Sequence, residues 1–206
     1  MRAVALFVVS LGLSVPSALA QPAQPRPAER PQGQIPDLGR PTESTDQVPL
    51  FDYDAYFPGV WTFEWRTPES PLSMGGTIRG TETYSESEDG RHYTSAIQAD
   101  EQDGSFTAVS TIVYLREQRA FARFEADSRG FDMLKVGHVG GDLGGFYTIH
   151  YETAPFQARG KTVRLRLVTR LVSPVNYRVE ARISVDDGPF SNFGTGWWQK
   201  QIDGQP

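Results

Sequence analysis

Thr162-Val163-Arg164-Leu165-Arg166-Leu167-Val168-Thr169-Arg170-Leu171-Val172, followed after Ser173-Pro174 by Asn176-Tyr177-Arg178-Val179-Glu180-Ala181-Arg182-Ile183-Ser184-Val185, decides the fold. In the first segment Val163, Leu165, Leu167, Thr169 and Leu171 alternate with Arg164, Arg166, Val168 and Arg170. In the second, Tyr177, Val179, Ala181, Ile183 and Val185 alternate with Arg178, Glu180, Arg182 and Ser184. A period of two puts each set on its own face of an extended chain, so both segments read as strands, apolar on one side and wet on the other. The apolar face must be buried, by a second sheet or by closure of the sheet on itself.

The same reading extends to the rest of the chain. Strands are expected near 60–66, 76–87, 91–100, 105–116, 119–127, 131–138, 146–152, 161–173, 176–186 and 191–201. They are separated by turn signals such as Glu88-Asp89-Gly90, Asp103-Gly104, Arg129-Gly130, Arg159-Gly160 and Asp187-Gly188-Pro189. The intervals leave no room for crossover helices, so neighbours should pair antiparallel in a meander. The expected fold is all-β: roughly ten strands closed into a barrel, preferred over a sandwich because closure removes exposed edges. Leu50-Phe51-Asp52-Tyr53-Asp54-Ala55-Tyr56-Phe57 has helical spacing and ends at Pro58-Gly59, which predicts a short N-terminal helical turn.

Residues 1–20 have the three-part layout of a secretory signal: Arg2, an apolar run from Ala3 to Val15, and small residues at Ala18 and Ala20. The run is about 13 residues long, against roughly 20 for a membrane-crossing helix. Residues 21–49 carry Pro22, Pro25, Pro27, Pro31, Pro36, Pro41 and Pro49 with few apolar residues, which predicts a disordered Pro/Gln-rich linker. The barrel domain is then expected over 50–206. There is no cysteine and no Asn-x-Ser/Thr acceptor, and the formal net charge is −5. These features point to a bacterial periplasmic or secreted protein and away from disulfides, thiolate metal sites, membrane spanning and nucleic-acid binding.

Gly59-Val60-Trp61, following the aromatic turn, resembles the Gly-x-Trp opening of the lipocalin-like (calycin) barrels. Together with Ser184-Val185-Asp186-Asp187-Gly188 and Trp197-Trp198, it is similar to a bacterial family of unknown function of the DUF1579 type. The resemblance implies a calycin barrel, a Trp61 that closes its bottom, and the binding of small apolar molecules inside. The usual lipocalin cysteine pair is missing.

Trp61, Phe63 and Trp65 alternate along the first strand, and with Tyr84 and His150 they are the candidates for a ligand-lining interior. His92, His138 and His150 fall in no His-x-His or His-x-x-x-His spacing, so no metal or cofactor is expected. Glu82 and Glu86, with Glu88 and Asp89, read as a surface cluster. Asp100 to Gly104 reads as a solvated hairpin turn, and the Gly-rich stretch 137–145 as a hairpin loop. Arg164, Arg166 and Arg170, beside Arg178 and Arg182, form an outer basic face that could dock weakly on an anionic surface. Three functions stand: a module binding a small apolar ligand, an enzyme drawing on His150, His92, Tyr147, Tyr151 or Arg123, and an envelope interaction protein.

Overall fold

The structure, a computed structural model, describes residues 48–202; the expected signal and nearly all of the expected linker lie outside them. A four-residue helix α1 (Tyr53–Tyr56) leads into eleven strands. These are β1 (Gly59–Ser70), β2 (Ser73–Glu86), β3 (Tyr93–Glu101), β4 (Gly104–Leu115), β5 (Ala120–Asp127) and β6 (Phe131–Gly141). They continue with β7 (Tyr147–Thr153), β8 (Phe156–Ala158), β9 (Lys161–Ser173), β10 (Asn176–Val185) and β11 (Ser191–Lys200).

Every pairing is antiparallel, and β1 to β7 form a meander. Strand β9 pairs with both β7 and β10, β10 with β11, and β11 with β1. The circuit closes as a ten-stranded barrel with β8 as an extra strand on β9. All ten expected strands are present. The eleventh arises at Pro155, which has no N–H to give to a ladder and so divides one extended stretch into β7 and β8. Pairing between β6 and β7 runs from Lys135↔Thr153 to Gly141↔Tyr147, so the Phe131–Leu134 part of β6 has no ladder to β8.

Tight turns hold the meander in register. Asp186 and Asp187 both take left-handed φ values, 50° and 59°, which matches the twist of the β10–β11 hairpin. Ser184 lies on the set of positions read as outward, yet it is buried and its Oγ donates to the Gly188 carbonyl at 2.6 Å across this turn. Gly80 and Gly137 face inward where strands come unusually close: a Cβ would lie 2.2 Å from the Gln98 carbonyl oxygen at the first and 1.8 Å from that of His150 at the second.

One end of the barrel is stoppered by the aromatic turn. Asp52 caps α1 by accepting from the Ala55 N–H at 3.1 Å. Phe51, Tyr53 and Phe57 are buried against Tyr114, Tyr93, Tyr84 and Tyr177, and Trp61 donates its indole N–H to the Phe57 carbonyl at 2.8 Å. The Tyr56 hydroxyl reaches the Ser173 carbonyl at 2.8 Å and ties the stopper to the β9–β10 turn. No helix among the described residues is long and apolar enough to cross a membrane.

Candidate functional site

The barrel interior carries a charged network among its aromatic side chains. Strand β2 contributes Glu82, β5 contributes Arg123 and Glu125, and β6 contributes Lys135. The Arg123 guanidinium donates through Nη2 to Glu82 Oε1 at 2.8 Å and lies 2.7 Å from Glu125 Oε2. Its Nε donates to Ser110 Oγ at 3.0 Å, and Nη2 also reaches Ser95 Oγ at 3.1 Å. Lys135 Nζ donates to Glu125 Oε2 at 2.9 Å. On the far side of the network, Glu82 Oε2 accepts from Trp198 Nε1 at 3.0 Å and from the Tyr177 hydroxyl at 3.5 Å.

These four charges are almost fully enclosed: side-chain exposure is 3% for Glu82, 7% for Glu125, and 12% for both Arg123 and Lys135. Two acids and two bases balance formally, which is what allows them to sit inside a barrel, since a lone buried charge would be far too costly. Burial alone would raise the Glu125 carboxyl, but the Lys135 ammonium and the Arg123 guanidinium outweigh it and hold the group at about 2. Burial lowers the Lys135 ammonium, and its attraction to Glu125 offsets that only in part. Burial also works against the Arg123 charge, yet Glu82 and Glu125 raise its pKa well above the ordinary value. Burial pushes the hydroxyls of Tyr84, Tyr151 and Tyr177 upward, so they remain protonated donors.

Two interior lobes, each about 100 Å³, flank this network. Trp65, Ile97, Glu125, Lys135, Leu167 and Trp198 line both, so the lobes adjoin. One lies toward α1, among Tyr53, Phe57, Tyr84 and Tyr151. The other lies toward the opposite end and is mainly apolar, with Phe63, Phe106, Ala108 and Phe131 in its wall.

At that opposite end Arg129, in the β5–β6 turn, lies across the mouth. Its guanidinium carbon stands 3.5 Å from the centre of the Phe106 ring. Its Nη2 and Nε grip Asp127 at 2.7 and 3.0 Å, and Nη1 reaches Glu101 Oε1 at 2.7 Å. Glu101 therefore does more than flank a solvated turn; it anchors this latch.

The residues singled out in the sequence divide into two groups. Phe63 and Trp65 line the lobes and Tyr84 lines the one near α1, whereas Trp61 is wholly buried in the stopper and borders neither. His150 is on the outer wall, its ring stacked on that of His138 at 5.0 Å, and not in the interior. The alternation of β7 explains this: Ile149 and Tyr151 point inward, which turns His150 out. His92 sits at the β2–β3 turn, 3.5 Å from Asp89, so no histidine reaches the cavity. Of the acid–base candidates, Arg123 and Tyr151 are interior, while Tyr147 packs on Phe51.

Glu82 corrects the surface reading of its cluster. Glu82 and Glu86 do share a face, but that face is the interior, and Glu86 lies past the rim in solvent. Glu125 and Lys135 have no motif around them, and only the strand register shows that they point inward. On the outer wall Arg166 meets Glu152 at 3.0 Å, Arg170 meets Glu180 at 3.6 Å, and Arg164 meets Asp187 at 3.7 Å.

No family model matches the chain, and no curated protein matches it closely enough to show kinship. Among solved structures it is similar to Rv2717c from M. tuberculosis, with 12% identity and a TM-score of 0.59 over 71% of this chain and 93% of that one. A de novo designed fluorescence-activating β-barrel aligns with 18% identity and a TM-score of 0.42 over 74% of this chain and all of that one. The likeness to the mycobacterial protein agrees with the fold derived from the register: the chain is a closed, ten-stranded antiparallel β-barrel.

Proposed function

We propose that this protein is a non-catalytic carrier or sensor that holds a small, largely apolar molecule inside its barrel. The observation that carries this reading is the pair of adjoining interior lobes, walled by Trp65, Trp198, Phe63 and Phe106. A site of this kind takes most of its affinity from apolar burial and its orientation from a few fixed polar groups. The adjoining lobes, about 100 Å³ each, together exceed the roughly 150 Å³ that holds a benzene molecule, which favours a compact ligand.

Trp65 and Trp198 report on the interior directly. Titration of the protein with small aromatic molecules is expected to change tryptophan emission in a saturable way. The change should vanish in Ala108→Leu, which fills the apolar lobe. Unchanged emission, together with a ligand-free mass in native mass spectrometry of the protein taken from its source cells, would refute the reading.

The site of action is proposed to be the periplasm or the medium. Residues 1–20, with Ala18 and Ala20 before the expected cleavage point, and the lack of cysteine support this. The expected mature chain begins at Gln21, as terminal sequencing would show; an intact Met1 terminus on protein from the cytoplasmic fraction would contradict export.

A further inference from the structure

The polar groups that face the lobes are unevenly satisfied. All the hydrogen bonds to Glu125 fall on Oε2, which accepts from Lys135 and Ser110 and lies against Arg123. No described residue donates to Oε1, and this oxygen is not among the side-chain atoms that are both sealed by protein and unpartnered. Lys135 offers three N–H donors, and among the described residues its single hydrogen-bond partner is Glu125. Both side chains border both lobes. The junction therefore presents one unused acceptor beside two unused donors, next to apolar walls.

The charge balance narrows what can use them. Glu82, Glu125, Arg123 and Lys135 already neutralise one another, so a ligand bringing its own full charge would add a buried ion without a counterion. A neutral group that both donates and accepts meets both open positions at no such cost. We infer that the interior ligand is a neutral molecule with a hydroxyl or amide head, which donates to Glu125 Oε1 and accepts from Lys135 Nζ while its apolar body lies against Phe106 and Trp65. This rests on the proposal that the barrel binds a small molecule, and it adds the class of head group.

Three probes of one shape separate the cases: toluene with no head, p-cresol with a neutral hydroxyl, and p-toluate with a carboxylate. Binding to the whole protein near pH 7 would be followed by tryptophan emission and calorimetry. The expected order is p-cresol tightest, by about tenfold or more over toluene, the size of a hydrogen bond to a charged group. The p-toluate ion should be weakest. In Lys135→Met/Glu125→Leu, which removes one charge of each sign and both open polar groups, p-cresol should lose its advantage over toluene. The comparison of the three probes on the unaltered protein stands even if that variant fails to fold. Equal binding of p-cresol and toluene, or tightest binding of p-toluate, would overturn the head-group assignment and leave the ligand-binding reading intact. Failure of all three to bind would count against that reading itself, and this inference would fall with it.

Discussion

Arg123 is the side chain on which the interior electrostatics depend. Among the described residues it alone bridges Glu82 and Glu125, and it also donates to Ser95, Ser110 and the Tyr84 hydroxyl. Arg123→Met would leave Glu82 enclosed without a counter-charge, a change that typically costs about 3–5 kcal/mol. Urea denaturation near pH 7 is expected to show a loss of that order. Glu125 links this network to acid stability. Its pKa is about 2 in the folded protein against an ordinary value near 4.5, so the ionised form is favoured by the fold. The stabilisation is fully present above the ordinary value and is lost as the pH falls from there through about 2. Denaturation measured along that range should therefore show stability falling, and Glu125→Gln should flatten this dependence while lowering stability at neutral pH. The neutral-pH loss follows because Lys135 then keeps its charge without a carboxylate partner.

The elements differ in how plainly they could be read from sequence. In β9 and β10 apolar residues point inward and arginines outward, so alternation gives both strand and face. In β5 the polarity is inverted: Arg123, Glu125 and Asp127 face the interior, while Ala122, Phe124 and Ala126 face outward, with Phe124 50% exposed. Alternation alone identifies the strand but assigns its faces the wrong way round, so that Arg123 is legible as a candidate while nothing in the sequence marks Glu125 as its inward partner. The available signal is long-range: the register Phe121↔Tyr114 and Ser110↔Glu125 carries the inward face of β4 across the hairpin into β5. The outward place of His150 is legible by the ordinary rule, since Tyr147, Ile149 and Tyr151 alternate with Thr148, His150 and Glu152 and the apolar set takes the inner face. Element α1 behaved as its aromatic spacing implied. Phe57 meets Tyr53, Tyr84, Trp61 and Tyr177 within the stopper. Phe57→Ala is expected to cost about 3–5 kcal/mol in thermal or chemical unfolding, the usual range for a core phenylalanine.

Across the whole molecule, charge is distributed by side. The outer wall formed by β9 and β10 is laced with arginine–carboxylate pairs. The wall of β4, β5 and β6 exposes Val109, Val113, Phe124, Leu134 and Val136 instead. Both ends of the barrel are obstructed, one by α1 and the other by the Arg129 latch. The remaining weakness is where β6 from Phe131 to Leu134 runs beside β8 without a ladder, its last bond being from the Ala154 N–H to the Leu134 carbonyl at 2.9 Å. Backbone amides there are expected to exchange with deuterium before those of the other interstrand seams, as a residue-resolved exchange map would show. Uniform protection around the wall would contradict this.

The break at Pro155 thus has a bearing on traffic as well as on topology. A container bound all round by backbone hydrogen bonds must partly unfold, or lose a stopper, to admit anything. Here the seam beside Phe131 and Met133, which line the apolar lobe, has no ladder, so opening it breaks few interstrand hydrogen bonds. For the guest proposed above, this seam is the expected doorway, and exchange should follow the local opening of two short strand segments more closely than the stability of the barrel.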